Sequence, residues 1–418
     1  MIDPAILRND PKRLVRSLRR RGLEIDVAPI VELEEAARKT RQRAEEVRAA
    51  QKESGREIAR LQGPEKEAAI ARVSALSDVF KALEGEAEKL AAQFEEVWAT
   101  IPNLVDDTAA EGHTDADNIE VKRVGETPVF DFDPVDFTTL GNRLDLIDMD
   151  RGAKVSGSRF GYLKGQAVML EFGLVRFALD RLVANGHVPI VPPVLVREEA
   201  LFGTGFFPGD REQVYSVPDD GLHLVGTSEV ALAAYHGDEI FHAEELPKRY
   251  AGFSTCFRRE AGTYGKDTQG LFRVHQFDKV EMFVFCRPED SPAEHERLLA
   301  LEENLVQALE LPYRVVNVAA GDLGSSAAKK YDLEAWFPSQ QTYREITSCS
   351  NTTDYQARRL RVRMRTESGN QIVHTLNGTA VAVGRLILAI LENHQQSDGS
   401  VRMPASLVPY LGFDQIGP

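Results

Sequence analysis

Apolar, small or weakly polar residues recur at Ile30, Leu33, Ala37, Thr40, Ala44, Val47, Gln51, Ser54, Ile58 and Leu61, in a three-four spacing. That spacing returns to one side of an α-helix every two turns and predicts a long helix with one narrow seam. Gly63-Pro64 breaks it, because proline lacks an N–H donor and its ring clashes with the preceding turn. The seam resumes at Val73, Leu76, Phe80, Leu83, Ala87, Leu90, Phe94, Val97 and Ile101. Two matched seams around a tight breaker predict an antiparallel helical hairpin. Each helix of about 30 residues would run roughly 45 Å. By pattern alone a dimerisation coiled coil is the commoner use of such a seam. Pro102 ends the hairpin, and the polar, acidic stretch up to residue 125 reads as a linker. The expected division is a helical arm over 1–103, a linker over 104–125 and a mixed α/β domain over 126–418.

The period then changes. Residues 166–185, QAVMLEFGLVRFALDRLVAN, read as an amphipathic helix followed by a strand in GHVPIVPPVLV. Between Cys256 and Glu281 the chain reads CFRREAGTYGKDTQGLFRVHQFDKVE. This predicts two strands joined by a loop. Arg258 and Glu260, two apart, share a face of the first strand. Arg273, His275, Phe277, Lys279 and Glu281 share a face of the second, while Phe272, Val274, Val280, Met282 and Val284 form an apolar face bound for a core. A buried strand carries an aromatic ring among charges of both signs only where a charged ligand lies on it. The loop, with Gly262, Gly265 and Gly270 around Lys266 and Asp267, reads as mobile and able to approach a phosphate backbone.

The segment resembles motif 2 of the class II aminoacyl-tRNA synthetases, in the form found in seryl-tRNA synthetases. Helix, strand and Pro192-Pro193 resemble motif 1, the dimer element. HTLNGTAVAVGRLILAILENHQ, with Arg385 in an apolar helix, resembles motif 3. The resemblance covers the whole chain. It implies an α+β fold: an antiparallel sheet flanked by helices, with an N-terminal coiled-coil hairpin, working as a homodimer. It implies synthesis of seryl-adenylate from L-serine and ATP, then transfer of serine to serine tRNA, and to selenocysteine tRNA by the same route. A paralogue serving a non-translational acceptor shares every catalytic residue, and the basic arm counts against it.

By the same resemblance, Arg258 and Arg385 are the catalytic phosphate clamps. ATP meets Arg258, Arg259, Glu260, Arg273, Val274, Phe277, Glu345, Ile346, Thr347, Ser348 and Arg385, with Phe277 stacked on adenine. Glu345 and Ser348 in YREITSCS hold Mg²⁺. Serine meets Thr227, Ser228 and Glu229 in GTSEVAL, with Arg258, Glu281, Asn377 and Thr379. Many family members have serine where Thr379 stands. Planar arginines suit this chemistry because each holds two oxygens at fixed geometry. A polar, tight pocket without aromatics suits serine, and a site that bonds its hydroxyl rejects alanine by roughly 10⁴.

Composition narrows this picture. No run approaches 18 uncharged apolar residues, so no membrane span is expected. The acidic N-terminus lacks the apolar core of a secretory signal. Cys256, Cys286 and Cys349 are neither spaced as zinc ligands nor even in number, which fits a reducing cytoplasm and disfavours a zinc-dependent branch. GTGFFPG at 203–209 lacks the Lys and Ser/Thr of a P-loop. The net charge of −15 argues against a global attraction to nucleic acid. Residues 36–60, however, hold eight Lys+Arg against four acids, and 65–99 hold four against eight. A basic helix backed by an acidic one offers one RNA-facing side, and Arg38, Arg41, Arg48 and Lys52 are the expected tRNA contacts.

Overall fold

The computed structural model describes residues 1–261 and 271–417. The predicted loop with Gly262, Gly265, Lys266, Asp267 and Gly270 lies outside the described residues. The chain divides into two compact units. One is Ile2–Arg19 with Leu23–Pro102; the other is Met1, Arg20–Gly22 and Asn103–Pro418.

The first unit is built around two long helices, α1 (Ala28–Ile58) and α2 (Pro64–Ala99). They pack on each other, as the two seams require. Pro64 opens α2 and Gly63 precedes it at φ +59°, a turn that glycine makes without a Cβ penalty. Ile30, Ala44, Ala87 and Ile101 are buried and most of the other seam residues are partly buried. The seam slips at its end. Val97 is exposed while Trp98 is buried, stacked on Phe94 with its indole Nε1 donating to the Ile2 carbonyl at 2.9 Å. A ring that can both bury its area and satisfy its N–H takes the inward place.

The second unit holds an eight-stranded sheet: β1 (Ile119–Val124), β2 (Val188–Ile190), β3 (Lys248–Phe257), β4 (Gln276–Cys286), β5 (Tyr313–Asn317), β6 (Lys329–Phe337), β7 (Thr342–Thr353) and β8 (His374–Ala382). Their order is β1-β5-β6-β7-β8-β4-β3-β2. Every neighbouring pair is antiparallel except β2 with β3. Residues 104–125, expected as a polar linker, carry strand β1, and Val105 and Ala109 are buried against Val318 and Ala320. Helices α3 (Gln166–Ala184), α4 (Glu229–Ala234), α5 (Ser291–Ala308) and α6 (Val383–Asn393) flank the sheet.

Strand β4 shows how the period-2 pattern places the site. Val280, Met282 and Val284 enter the main core with α3, α5 and α6. On the other face Phe283 and Phe285 pack in a second apolar cluster with Leu232, Tyr250 and Met364. Phe277, Lys279 and Glu281 continue that face into an open pocket. The predicted strands were too long. β3 stops at Phe257 and β4 starts at Gln276, so Arg258, Glu260, Arg273 and His275 lie off the ladder. They still converge: the Arg258 N–H donates to the His275 carbonyl at 2.9 Å, and Glu260 takes φ +50°.

Candidate active site

The pocket over the sheet encloses about 410 Å³. Strand β4 supplies Phe277, Lys279 and Glu281 to its lining, β8 supplies Asn377 and Thr379, and β7 supplies Glu345 and Ser348. Thr227 and Glu229 come from the turn into α4, and Arg385 from the first turn of α6. Two strand irregularities make this arrangement possible. In the β6–β7 pairing Leu333 faces Thr347 and Glu334 faces Glu345, so Ile346 is an extra residue. In an unbroken strand Glu345 and Ser348, three apart, would lie on opposite faces. The bulge turns both to the pocket. In the β4–β8 pairing Val280 faces Val381 and Glu281 faces Thr379, so Ala380 is extra and Thr379 meets Glu281.

One end of the pocket is rich in arginine. The Arg258 guanidinium lies 5.3 Å from the Phe277 ring centroid, and its Nε donates to the Gly226 carbonyl at 3.2 Å. Arg273 pairs with Glu260 at 2.8 Å. Arg385 pairs with the Glu345 carboxylate at 3.1 Å and lies over Phe272. Burial works to raise the Glu345 pKa, but Arg385, Lys330 and Arg258 outweigh it and hold the carboxyl well below the usual range.

The other end is polar. Glu229 Oε1 accepts from Gln356 Nε2 at 2.7 Å and from Asn377 Nδ2 at 3.0 Å. Burial and then the neighbouring Glu281 push the Glu229 pKa up to about 7. Glu281 accepts from Thr379 Oγ1 at 3.3 Å and pairs with Lys279 at 2.5 Å.

Most of the residues expected at the site line this cavity, but two do not. Ser228 is buried with its hydroxyl donated to the Gly252 carbonyl at 3.2 Å, facing away. Arg259 is exposed, 5.8 Å from the Tyr215 ring centroid. Thr347 lines the cavity, but its hydroxyl donates away from it to Glu302 of α5 at 2.9 Å. Glu302 is wholly buried, and burial raises its pKa well above the usual range. Sequence reasoning missed Lys330 with its 2.9 Å pair Asp332, the Gln356 that orients Glu229, and Glu302. Lys330 and Asp332 alternate with apolar residues in KYDLEAWF, residues 330–337, so the strand pattern marked their face. Nothing local marks Gln356. The three thiols are free and buried, and burial pushes each of their pKa values up, which leaves none suited to act as a nucleophile.

On the first helical unit, Arg38 and Arg41 sit 3.7 Å from Glu34 and 3.9 Å from Glu45. Arg48 lies over the Phe80 ring at 5.2 Å, and Lys52 is exposed.

Comparison with known proteins agrees with this architecture. Residues 215–394 match the model of the tRNA synthetase class II core domain (G, H, P, S and T), and residues 1–105 match the seryl-tRNA synthetase N-terminal domain. A serine–tRNA ligase of Nocardia farcinica is 51% identical over 420 residues, covering all of both chains. One from Thermobifida fusca is 50% identical, covering all of this chain and 99% of its own. The crystal structure of seryl-tRNA synthetase from Pyrococcus horikoshii complexed with ATP superposes with a TM-score of 0.94 at 39% identity, over the full length of both. A cytoplasmic serine–tRNA ligase from Naegleria fowleri in complex with AMP gives 0.90 at 33%, over all of this chain and 99% of that one. With both domains matched and identity near one half from end to end, the chain belongs to the seryl-tRNA synthetase family of class II aminoacyl-tRNA synthetases.

Proposed function

We propose that this ligase activates L-serine with ATP to seryl-adenylate, releasing pyrophosphate, and then transfers serine to the 3′ end of serine tRNA. The observation that carries this reading is a single cavity with two chemically distinct ends. Arg258, Arg385 and Phe277 line one, and Thr227, Glu229, Glu281, Asn377 and Thr379 line the other. In the first step a serine carboxylate oxygen attacks the α-phosphorus, and the bond to the bridging oxygen breaks with its electron pair leaving on pyrophosphate. Serine brings its own nucleophile, so the protein contributes position and charge. Arg258 and Arg385 cover the phosphate oxygens, and Phe277 stacks on adenine. Glu229 and Glu281 receive the serine ammonium, and Thr379 with Asn377 addresses the hydroxyl.

Mg²⁺ is the metal that fits. Glu345 and Ser348 are hard oxygen donors turned to one face by the bulge, and the Glu345 carboxyl is held ionised. Mg²⁺ is commonly held by one or two carboxylates together with substrate phosphates and water. When bound, it neutralises charge on the ATP phosphates.

The arm is assigned to the tRNA through Arg38, Arg41, Arg48 and Lys52. A homodimer is supported by the exposed Met169, Phe172 and Val183 of α3 beside Val188 and Val191, a large apolar set for a free surface. Three free cysteines suit a reducing cytoplasm. No helix among the described residues is long and apolar enough to cross a membrane. The test is Mg²⁺-dependent exchange of pyrophosphate into ATP, without tRNA, against each of the twenty amino acids. Serine alone should support it, and charging should then require tRNA. Exchange with another amino acid and not with serine overturns the reading.

A further inference from the structure

Lys279 stands on β4 between Phe277 and Glu281, on the face that floors the cavity. Residues two apart on a strand are separated by roughly 6.8 Å. Lys279 therefore sits midway between the residue assigned to adenine and one assigned to the serine ammonium. That is where the two reacting anions, the serine carboxylate and the α-phosphate, have to meet. Its side chain is 7% exposed, and its Nζ lies 2.5 Å from Glu281 Oε2. The same oxygen accepts the Thr379 hydroxyl. One of the two Glu281 oxygens thus already holds a cation and a hydroxyl, so a serine ammonium brought to this carboxylate adds a second cation beside Lys279.

Two cations on one buried carboxylate repel each other where water is scarce. Serine binding therefore loosens Lys279 from Glu281. The loosened ammonium remains tethered to the floor and needs a new anion, since an unpaired buried charge is costly. Of the neighbouring acids, Glu260 is engaged by Arg273, Glu345 by Arg385 and Asp332 by Lys330, and Glu229 is itself assigned to the serine ammonium. The new anions are those the substrates bring.

We propose that Lys279 is a serine-gated catalytic cation, which pairs with Glu281 in the empty enzyme and is handed over to the carboxylate–α-phosphate junction when the serine ammonium takes Glu281. This rests on the assignment of Glu281 to serine. The exchange moves no proton and makes no covalent bond. The ammonium only adds positive charge where the oxygen–phosphorus bond forms and pyrophosphate departs. It also accounts for a lysine in place of a planar arginine, because a compact charge on a flexible stem can change partners within a small space.

Pyrophosphate exchange by Lys279→Met and Lys279→Arg, over a range of serine concentrations at pH 8, tests this. In Lys279→Met, kcat should fall roughly 10²-fold or more, as it does when one transition-state charge is lost. The KM for serine should fall or stay level, because the ammonium no longer competes with Lys279. Lys279→Arg should recover at least tenfold of the lost kcat. A second readout is ATP binding with serinol, which carries the ammonium and hydroxyl but no carboxylate. Serinol should tighten ATP binding by the wild type and not by Lys279→Met. A kcat within threefold of wild type, or a raised serine KM with unchanged kcat, overturns the proposal and leaves Lys279 a structural neutraliser of Glu281. If Lys279→Met does not fold, Lys279→Gln takes its place with the same expectations. A wild type that shows no serine-dependent exchange would instead sink the function proposed above.

Discussion

Glu229→Gln isolates one buried carboxyl and gives a result that changes with pH. Glu229 is 8% exposed, and its Oε1 accepts from both Gln356 and Asn377. Burial, reinforced by Glu281, raises its pKa from 4.5 to about 7. The folded protein therefore holds this proton more tightly than the unfolded chain does. The stabilisation is fully present below about pH 4.5 and is lost as pH rises through about 7. At about 1.4 kcal/mol per pH unit, that interval is worth about 3 kcal/mol. The amide oxygen of the substituted side chain accepts the same two hydrogen bonds and cannot ionise. The ligand-free variant should therefore exceed the wild type in stability by under about 1 kcal/mol at pH 5 and by about 3 kcal/mol at pH 8. Thermal unfolding at fixed ionic strength reads this as a gap in Tm that opens by a few degrees across the range. Function should move the other way. Under the proposed assignment of the serine ammonium to the ionised carboxylate, the wild-type KM for serine should fall from pH 6 to pH 8, while the variant's stays high and flat. A stability gap that is the same at pH 5 and pH 8 would refute the reasoning.

Arg258→Ala should lower serine-dependent exchange by roughly two orders of magnitude or more; unaltered exchange in a folded variant would place the phosphate elsewhere. Glu281→Ala should raise the KM for serine far more than that for ATP, since the floor separates the two ends by roughly 13 Å from Phe277 to Glu281; an effect confined to ATP would reverse the assignment. Changing Arg38, Arg41, Arg48 and Lys52 together to Gln should spare exchange, raise the KM for tRNA, and lower the salt slope of tRNA binding by at most about 3 to 4. The pairing of Arg38 and Arg41 with Glu34 and Glu45 makes the smaller end of that range the expected one. An unchanged salt slope would leave the arm a structural coiled coil.

The sequence alone determined whatever rests on local period. Seams of three and four residues specified the helical hairpin, because each helix buries one narrow stripe against the other. Alternation along residues 276–286 sent Val280, Met282 and Val284 to the core and left Phe277, Lys279 and Glu281 facing the pocket. Motif resemblance then named the chemistry of that face. Tertiary structure decided what depends on broken periods and distant partners. Arg258, Glu260 and Arg273 reach the pocket from turns and not from strand faces, and Glu260 does so at positive φ. An extra residue at Ile346 brings Glu345 and Ser348 to one side, which a spacing of three forbids in a regular strand. Ser228 and Arg259, adjacent to true lining residues, are turned away by bonds to Gly252 and by Tyr215. Gln356 and Glu302 serve the site from more than fifty residues' distance in the chain or from behind the sheet. A bulge, a left-handed turn and a long-range hydrogen bond leave no trace in local spacing, because each is paid for by contacts that exist only once the sheet has formed.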